Sequence, residues 1–314
     1  MNKPKLSIII PVANEDKNIE IMNKRIKEVL DGKIDYEVIW VDDGSTDNTK
    51  NVLEQICKDE RVHGISLMTN TGQSAALMAG INAANGELIA TIDGDNQNDP
   101  EDFLKMIDKL EKEDLDAVIG WRKNRWEGSF VRRLPSLEAN KLMKMAFGDL
   151  GIHDSGCMVK VMKADIVKNI KLYGELHRFM SYMLGMYGAK LGEIEVFHQK
   201  RQYGKSKYNF KRTLTVIFDI ISVKFLAQRK KTPIQFMGLV GLLTFFIGCI
   251  SGIAVILMKI YQGQDITGSP LFMLTILCLI MSFQFISFGL LGELIIRSHY
   301  ENGEATTYAI RKTY

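Results

Sequence analysis

Two carboxylates one residue apart, Asp93 and Asp95, follow a short apolar run, with Gly94 between them and Gln97 just beyond. Hard oxygen ligands at this spacing suit Mg2+ or Mn2+, whose remaining coordination positions phosphates can fill. Gly94 is expected to let the backbone bend tightly between the two carboxylates. A lone Asp-x-Asp also occurs in capped turns, so the pattern needs company. Three further polar clusters supply it: Pro11-Val12-Ala13-Asn14-Glu15, Asp42-Asp43-Gly44-Ser45 and Thr69-Asn70-Thr71-Gly72-Gln73. Carboxylates gathered at one edge are costly unless they are paired or bind a cation.

Each cluster follows a run rich in Ile, Val or Leu: Leu6–Ile10, Glu37–Val41, Gly64–Met68 and Leu88–Ile92. Helix-like stretches lie between them at Lys17–Leu30, Thr46–Lys58 and Gln73–Ala84. The alternation predicts an α/β fold, Rossmann-like, with a mostly parallel sheet and helices on both faces. Ligands of such sheets bind beyond the carboxyl ends of the strands, where the four clusters fall. Asp43 and Asp47 are alternatively helix N-caps, Asp47 more so. Gly72 and Gln73 open a helix that either presents its N-terminus to phosphate or is a plain helix start. No GxGxxG follows the first strand, which disfavours a dehydrogenase. Gly204-Lys205-Ser206 mimics the end of a P-loop, but Gln199 stands where the first glycine is required, so a P-loop ATPase is rejected.

The chain is 46% apolar and 25% charged, which excludes a disordered or collagenous protein. Its net charge of +3 hides a segregation. Residues 1–200 are mildly acidic, residues 201–231 hold nine basic residues against one acidic, and residues 232–314 are balanced. The balanced part contains two uncharged runs, Ile234–Met258 and Leu271–Gly292, each long enough to cross a bilayer. Arg229, Lys230 and Lys231 precede the first, and Arg297, Arg311 and Lys312 follow the second. The positive-inside rule therefore places residues 1–230 in the cytoplasm. Met1–Pro11 lacks a signal-peptide h-region. Phe210, Leu214, Ile217, Ile221 and Phe225 recur at helical spacing, as in an amphipathic helix lying in the headgroup layer. The expected organisation is a cytosolic α/β domain (1–200), a basic amphipathic juxtamembrane segment (201–231), a transmembrane hairpin (232–298, helices about 234–258 and 271–296) and a cytosolic tail (299–314). Cys57, Cys157, Cys249 and Cys278 form no CxxC pair, so neither a disulfide framework nor a zinc ribbon is expected.

These pieces resemble the family 2 glycosyltransferases of GT-A fold, and among them the dolichyl-phosphate mannose synthase group. The nearest likeness is to bacterial polyprenyl-phosphate glycosyltransferases with two C-terminal membrane helices. The resemblance runs through PVANE (11–15), VDDGSTD (41–47), NTGQSAAL (70–77) and DGDNQNDP (93–100). It continues in GWRKNR (120–125), DSGCMVK (154–160), GELHRF (174–179) and RQYGKSKYNF (201–210). Ala13 departs from the pattern, since an aromatic often stands there. No QxxRW segment is present, which argues against a processive polysaccharide synthase of the same fold. The resemblance implies an inverting transfer from a nucleotide sugar, UDP-linked rather than GDP-linked, to polyprenyl (undecaprenyl) phosphate at the cytoplasmic membrane face. It implies Mg2+ or Mn2+ as cofactor, a flippase downstream, a product used in cell-envelope glycosylation, and a homo-oligomer through the membrane helices. Nucleic acid is not an expected partner. The competing readings are a GT-A transferase acting on another membrane lipid and a catalytically silent scaffold.

On that resemblance Asp93, Asp95 and Gln97 hold the metal. Pro11, Asn14, Glu15, Asp42, Gly72, Gln73, Asp93 and Gln97 bind the donor, with Glu15 and Asp42 facing the nucleoside. Arg122, Arg125, Arg132, Arg133, Arg201, Lys205 and Lys207 are candidates for the acceptor-phosphate slot, because guanidinium matches phosphate bidentately. Each of these cations reads equally well as a solvated surface charge. His177 and Arg178 shape the sugar pocket, His177 being equally readable as a structural histidine. Asp154 occupies the position of the family's proposed base. A phosphate monoester has a second pKa of ~6 and is already a nucleophile near neutrality. An orienting role for Asp154 therefore fits better. Cys157 reads as a small packing residue.

Overall fold

The computed structural model describes residues 3–123, 144, 148–199, 233–262, 269–301 and 310–314. The chain forms two compact units, one of Met1–Lys224 with Thr306–Tyr314 and one of Phe225–Ala305.

The first unit opens with β1 (Leu6–Val12), α1 (Asp16–Leu30), β2 (Tyr36–Asp42), α2 (Thr49–Ile56), β3 (Val62–Leu67), α3 (Gln73–Ala83) and β4 (Leu88–Thr91). Every residue of β1, β2 and β4 is buried. That is the pattern of strands covered on both faces. In α1, Ile19, Met22, Ile26, Val29 and Leu30 are buried at helical spacing, while Glu20, Lys24 and Glu28 are exposed. Pro11 stands inside β1, where it lacks a ladder donor. The pairing with β4 ends at Ile9↔Thr91, so no β4 residue stands opposite it.

Beyond β4 the chain adds α4 (Asp102–Lys112), β5 (Ala117–Trp121), β6 (Lys160–Lys163), α5 (Ala164–Val167), a short 3-10 turn (Leu176–Phe179), α6 (Met180–Met186) and β7 (Leu191–Glu195). Among the described residues the sheet runs β7-β5-β6-β4-β1-β2-β3, with a further strand, β8 (Ile310–Thr313), beside β3. Strands β4, β1, β2 and β3 are parallel to one another, β7 is parallel to β5, and β6 lies antiparallel between β4 and β5. The mostly parallel sheet agrees with the expectation, and the antiparallel β6 and β8 add to it.

Strand β8 comes from the segment read as a tail. It pairs antiparallel with β3, with Ser66↔Lys312 in register. Tyr314 donates its N–H to the Gly64 carbonyl at 2.8 Å, and Lys312 pairs with Glu54 at 2.7 Å. The last residues thus cover a sheet edge that would otherwise be open to pairing with another chain.

The second unit contains α7 (Pro233–Gln262) and α8 (Pro270–Glu301). Their apolar stretches, Met237–Tyr261 and Pro270–Gly292, are long enough to cross a membrane. Leu239, Ile250, Ile260, Phe283 and Phe288 are all more than half exposed, which leaves an apolar surface on both helices. The helices meet where side chains are small. Ser251 Oγ lies 2.9 Å from Thr275 Oγ1, and a Cβ on Gly252 would stand 3.2 Å from Thr275 Cγ2. Small residues and hydroxyl pairs of this kind hold helices together where no hydrophobic force separates them from the solvent.

Candidate active site

The polar clusters at the carboxyl ends of β1 to β4 are fastened to one another. Asn14 and Ser45 bridge the first two, with the Asn14 N–H on Ser45 Oγ at 2.8 Å and the Thr46 N–H on Asn14 Oδ1 at 2.9 Å. The Glu15 N–H reaches Thr49 Oγ1 at 3.1 Å, and the Glu15 carboxylate accepts from Asn18 Nδ2 at 2.6 Å. Asp47 accepts from the Thr49 N–H at 3.0 Å, as a residue at a helix start should, and from the Asp16 N–H at 3.4 Å.

Asp42 and Asp43 have tasks other than those expected. Asp42, read as a nucleoside ligand, is fully buried. Its Oδ1 accepts from the Ser45 N–H at 2.8 Å and its Oδ2 from the Ser66 hydroxyl at 2.7 Å. It closes its own turn and ties that turn to β3. Asp43, read as a helix cap, receives the Thr71 N–H at 2.7 Å and the Gly72 N–H at 2.9 Å. Successive residues at a strand end point to opposite sides, so one aspartate turns inward and its neighbour reaches the next loop. Gly44 makes this approach possible: its φ is +67°, and a Cβ there would stand 2.4 Å from the Asn70 nitrogen.

Asp93 and Asp95 are half-buried at the end of β4. Asp93 Oδ1 accepts from Gln73 Nε2 at 2.8 Å, which couples the start of α3 to the carboxylate pair. Asp95 Oδ1 accepts from the Gln97 N–H at 3.2 Å. Gly94 is required for close packing rather than for an unusual φ. A Cβ there would stand 2.4 Å from Val12 Cγ1. The bend falls at Asn96, whose φ is +57° and whose Nδ2 bonds the Asn18 carbonyl at 3.1 Å. Gln97 donates Nε2 to the Gln199 carbonyl at 3.0 Å, and Gln199 answers with its own N–H to the Gln97 carbonyl at 2.8 Å. Among the described residues no three His, Cys, Asp or Glu side chains gather as a self-sufficient metal site. Two carboxylates and an amide oxygen are instead the donor set of a hard ion that takes its other ligands from diphosphate and water, so the residues present fit Mg2+ or Mn2+.

A second corner lies at the ends of β5 and β7. Arg122 forks onto Asp154, with Nε to Oδ2 at 2.7 Å and Nη2 to Oδ1 at 3.0 Å. Arg122 is 8% exposed, so this bidentate pair is largely out of water. Arg122, one of the candidates for the acceptor phosphate, has two nitrogens of its fork on Asp154. Glu193 on β7 accepts both the His153 and Asp154 N–H groups.

The model of Glycosyl transferase family 2 matches residues 7–171. The chain belongs to that family. This glycosyltransferase is 37% identical to the dodecaprenyl-phosphate galacturonate synthase of Rhizobium johnstonii, across 98% of the chain and 93% of that protein. It is 31% identical to the undecaprenyl-phosphate 4-deoxy-4-formamido-L-arabinose transferase of Proteus mirabilis, over the same shares of the two chains. The fold is also that of glucosyl-3-phosphoglycerate synthase from Mycobacterium tuberculosis, solved with Mn2+, UDP and phosphoglyceric acid. That likeness has a TM-score of 0.54 at 19% identity, over 71% of this chain and 78% of the other. Staphylococcus aureus TarS (residues 1–349), solved with UDP-GlcNAc, gives 0.53 at 18%, over 72% and 68%.

In this family 2 enzyme His177 is buried, with its N–H on Ser74 Oγ and its Nδ1 3.0 Å from the same hydroxyl. Burial, then Arg178 and Lys160, depresses its pKa to about 3, so the ring is neutral and pins the 3-10 turn to α3. Arg178 pairs with Glu175 one turn away. Cys157 is buried, and burial pushes its thiol up, which fits a packing role. Arg125, Arg132, Arg133, Arg201, Lys205, Lys207 and the amphipathic stripe at 210–225 lie outside the described residues.

Lys160 is a buried cation that no expectation singled out. It stands on β6 with no exposure, its ammonium on the Cys157 carbonyl. Burial lowers its pKa to about 8, against the opposing pull of Cys157, Asp154 and Asp93. One signal was available: a lone lysine inside the apolar run Cys157–Met162. Asp43, Glu193 and Gln199 offered none, because each acts through a loop distant in sequence.

Proposed function

We propose that this glycosyltransferase moves a sugar from a nucleotide sugar, UDP-linked, to polyprenyl phosphate with inversion at the anomeric carbon. The observation that carries the reading is the Asp93-x-Asp95 pair at the end of β4, braced by Gln73 and Gln97. The polyprenyl-phosphate sugar transferases that resemble the chain along almost its whole length support the acceptor class. Asp93, Asp95 and Gln97 would hold Mg2+ or Mn2+, as the Mn2+–UDP complex of the fold neighbour suggests. Bound there, the ion supplies Lewis-acid neutralisation of the departing diphosphate. Asn14, Glu15, Gly72 and Gln73 line the donor side.

The acceptor phosphate, largely dianionic above its second pKa of ~6, attacks the anomeric carbon directly. One bond forms to its oxygen as the bond to the nucleotide diphosphate breaks, and no covalent enzyme intermediate is required. Asp154 is an orienting residue in this scheme. A carboxylate holding a guanidinium through both oxygens is stabilised in its ionised form and is a poor proton acceptor. Arg125, Arg132, Arg133, Arg201, Lys205 and Lys207 are the cations that would bind the acceptor phosphate, and Arg122 contributes by fixing Asp154. His177 and Arg178 border the sugar. The two long helices span the cytoplasmic membrane as a hairpin, with the catalytic unit on the cytosolic side. The lipid-linked sugar is then flipped and used in envelope glycosylation.

The test is a panel of UDP- and GDP-sugars with undecaprenyl phosphate, including galacturonosyl and 4-deoxy-4-formamido-L-arabinosyl donors, with products read by mass. Transfer to undecaprenyl phosphate that stops with EDTA and returns with Mn2+ or Mg2+ is expected. Transfer to diacylglycerol or ceramide instead, or full turnover in excess EDTA, overturns the reading.

A further inference from the structure

Asp154 is held by two anchors from neighbouring strands, and only one of them touches its side chain. Arg122, just past the end of β5, grips the carboxylate. Glu193, on the adjacent β7 and opposite Ile119 in register, grips the backbone. Its Oε1 accepts the His153 N–H at 2.7 Å and the Asp154 N–H at 3.0 Å, and its Oε2 lies 2.7 Å from His153 Nδ1. The Glu193 side chain is only 9% exposed, whereas His153 is 63% exposed. A nearly buried carboxylate that takes two consecutive backbone amides holds the chain at that point in one conformation. Charge-assisted bonds of this kind are about twice as strong as neutral ones. The His153 ring also stacks on Trp121, with centroids 4.6 Å apart, which keeps the same segment against β5.

We propose that Glu193 is a positioning residue for sugar transfer: by clamping the His153 and Asp154 amides it sets where Asp154 and its Arg122 partner stand, without touching substrate. The proposal rests on the reading of Asp154 as an orienting residue. A displacement of about 1 Å in a positioned group costs on the order of a hundredfold in rate. Loss of the clamp therefore acts on kcat, with little effect on binding.

The experiment is steady-state kinetics of the full-length enzyme with its nucleotide-sugar donor and undecaprenyl phosphate, alongside thermal unfolding. Glu193→Ala is expected to lower kcat by roughly ten- to a hundredfold with both KM values within about threefold. Glu193→Gln is expected to stay within about threefold of wild type, because its single carbonyl oxygen can take both amides while its NH2 faces Nδ1 of the other tautomer. His153→Ala, which spares the two backbone bonds, should behave like Glu193→Gln. In an Asp154→Asn background, Glu193→Ala should add less than about threefold, since residues acting as a unit are not additive. Should Glu193→Ala fail to fold, Glu193→Asp, one methylene short of both amides, is read by the same criteria. An impaired Asp154→Asn beside a Glu193→Ala of wild-type kcat overturns the proposal alone. So does a Glu193→Gln as slow as Glu193→Ala, or a His153→Ala that loses as much. A wild-type rate in Asp154→Asn instead brings down the role of Asp154, and the clamp with it.

Discussion

The donor-side loops and the Arg122–Asp154 corner reach fixed geometry by different means. On the donor side, carboxylates, amides and hydroxyls at strand ends receive backbone N–H groups from the next loop: Ser45 from Asn14, Asn14 from Thr46, and Asp43 from Thr71 and Gly72. Each link is worth about 0.5–1.5 kcal/mol, more where a charged group takes part. At the other corner full charges are taken out of water, with Arg122 at 8% exposure and Lys160 at none. A buried charge whose partner is removed is destabilised by about 3–5 kcal/mol. The donor side should therefore yield by degrees, and the charged corner should fail abruptly.

The largest effect is expected where the donor side meets the metal. Asp95→Asn should lower kcat by at least about a thousandfold, since Lewis-acid stabilisation is worth several kcal/mol. Its melting temperature should stay within a few degrees of wild type, and Mn2+ binding followed by paramagnetic resonance should weaken. A variant that keeps its Mn2+ affinity and turnover would remove Asp95 from the metal set.

Next comes the charged pair. Arg122→Ala should cost about 3–5 kcal/mol of stability by denaturant unfolding, because it removes the bidentate partner of a largely buried carboxylate. Adding Asp154→Leu should recover much of that stability and none of the activity. If the double variant is no more stable than the single one, the pair is not a buried unit.

Lys160→Met separates stability from function. Its ammonium has a folded pKa of about 8, below the ordinary 10.5. The unfolded chain therefore binds more protons between those values, and wild-type stability from this group should rise as pH increases from 8 toward 10.5. The Met variant should lose that slope and be at least as stable as wild type near pH 7. Its turnover should fall by about tenfold, the effect of roughly one pKa unit of local potential. An unchanged pH slope in unfolding would contradict a Lys160 whose pKa is depressed by burial.

Asp43→Asn should be milder, since one amide oxygen still accepts one of the two loop N–H groups. A loss of about 1 kcal/mol should raise the donor KM several-fold and leave kcat nearly intact. A collapse in kcat would make the donor loops as brittle as the charged corner.

The smallest effect concerns His177, whose folded pKa of about 3 lies below the ordinary 6.5. Its contribution is fully present above 6.5 and is lost as pH falls from there toward 3. Unfolding followed against pH should show a shallower acid limb in His177→Gln than in wild type. Superimposable limbs would mean that the ring is not held neutral by burial.

Much of this was legible along the chain. Runs such as SIII and VIWV bounded by polar turns gave the first four strands within a residue or two, and the clusters after them fell at the strand ends where the carboxylate pair stands. Arg122 and Asp154, read separately as a phosphate candidate and an orienting residue, meet as a bidentate pair. Ordinary spacing did not distinguish Asp42 from Asp43, because two adjacent aspartates read alike until the strand end decides which one turns inward. Gly94 had the right residue type for another reason, contact with Val12 in place of a bent backbone. Segment 299–314 read as a tail because β8 is short and polar, and its partner lies far away: Lys312 and Glu54 are 258 positions apart.

Strand and helix alternation, the four polar turns and the two long apolar segments were determined by sequence alone. They follow from periods of 2 and 3.6 residues and from the length of uncharged runs, which are local quantities. Tertiary structure alone decided which carboxylate faces the next loop, that Lys160 is sealed inside β6, that Glu193 holds the backbone of Asp154, and that the last residues complete the sheet. Each of these depends on a side chain meeting a partner that folding brings close, and a linear pattern carries no record of that distance.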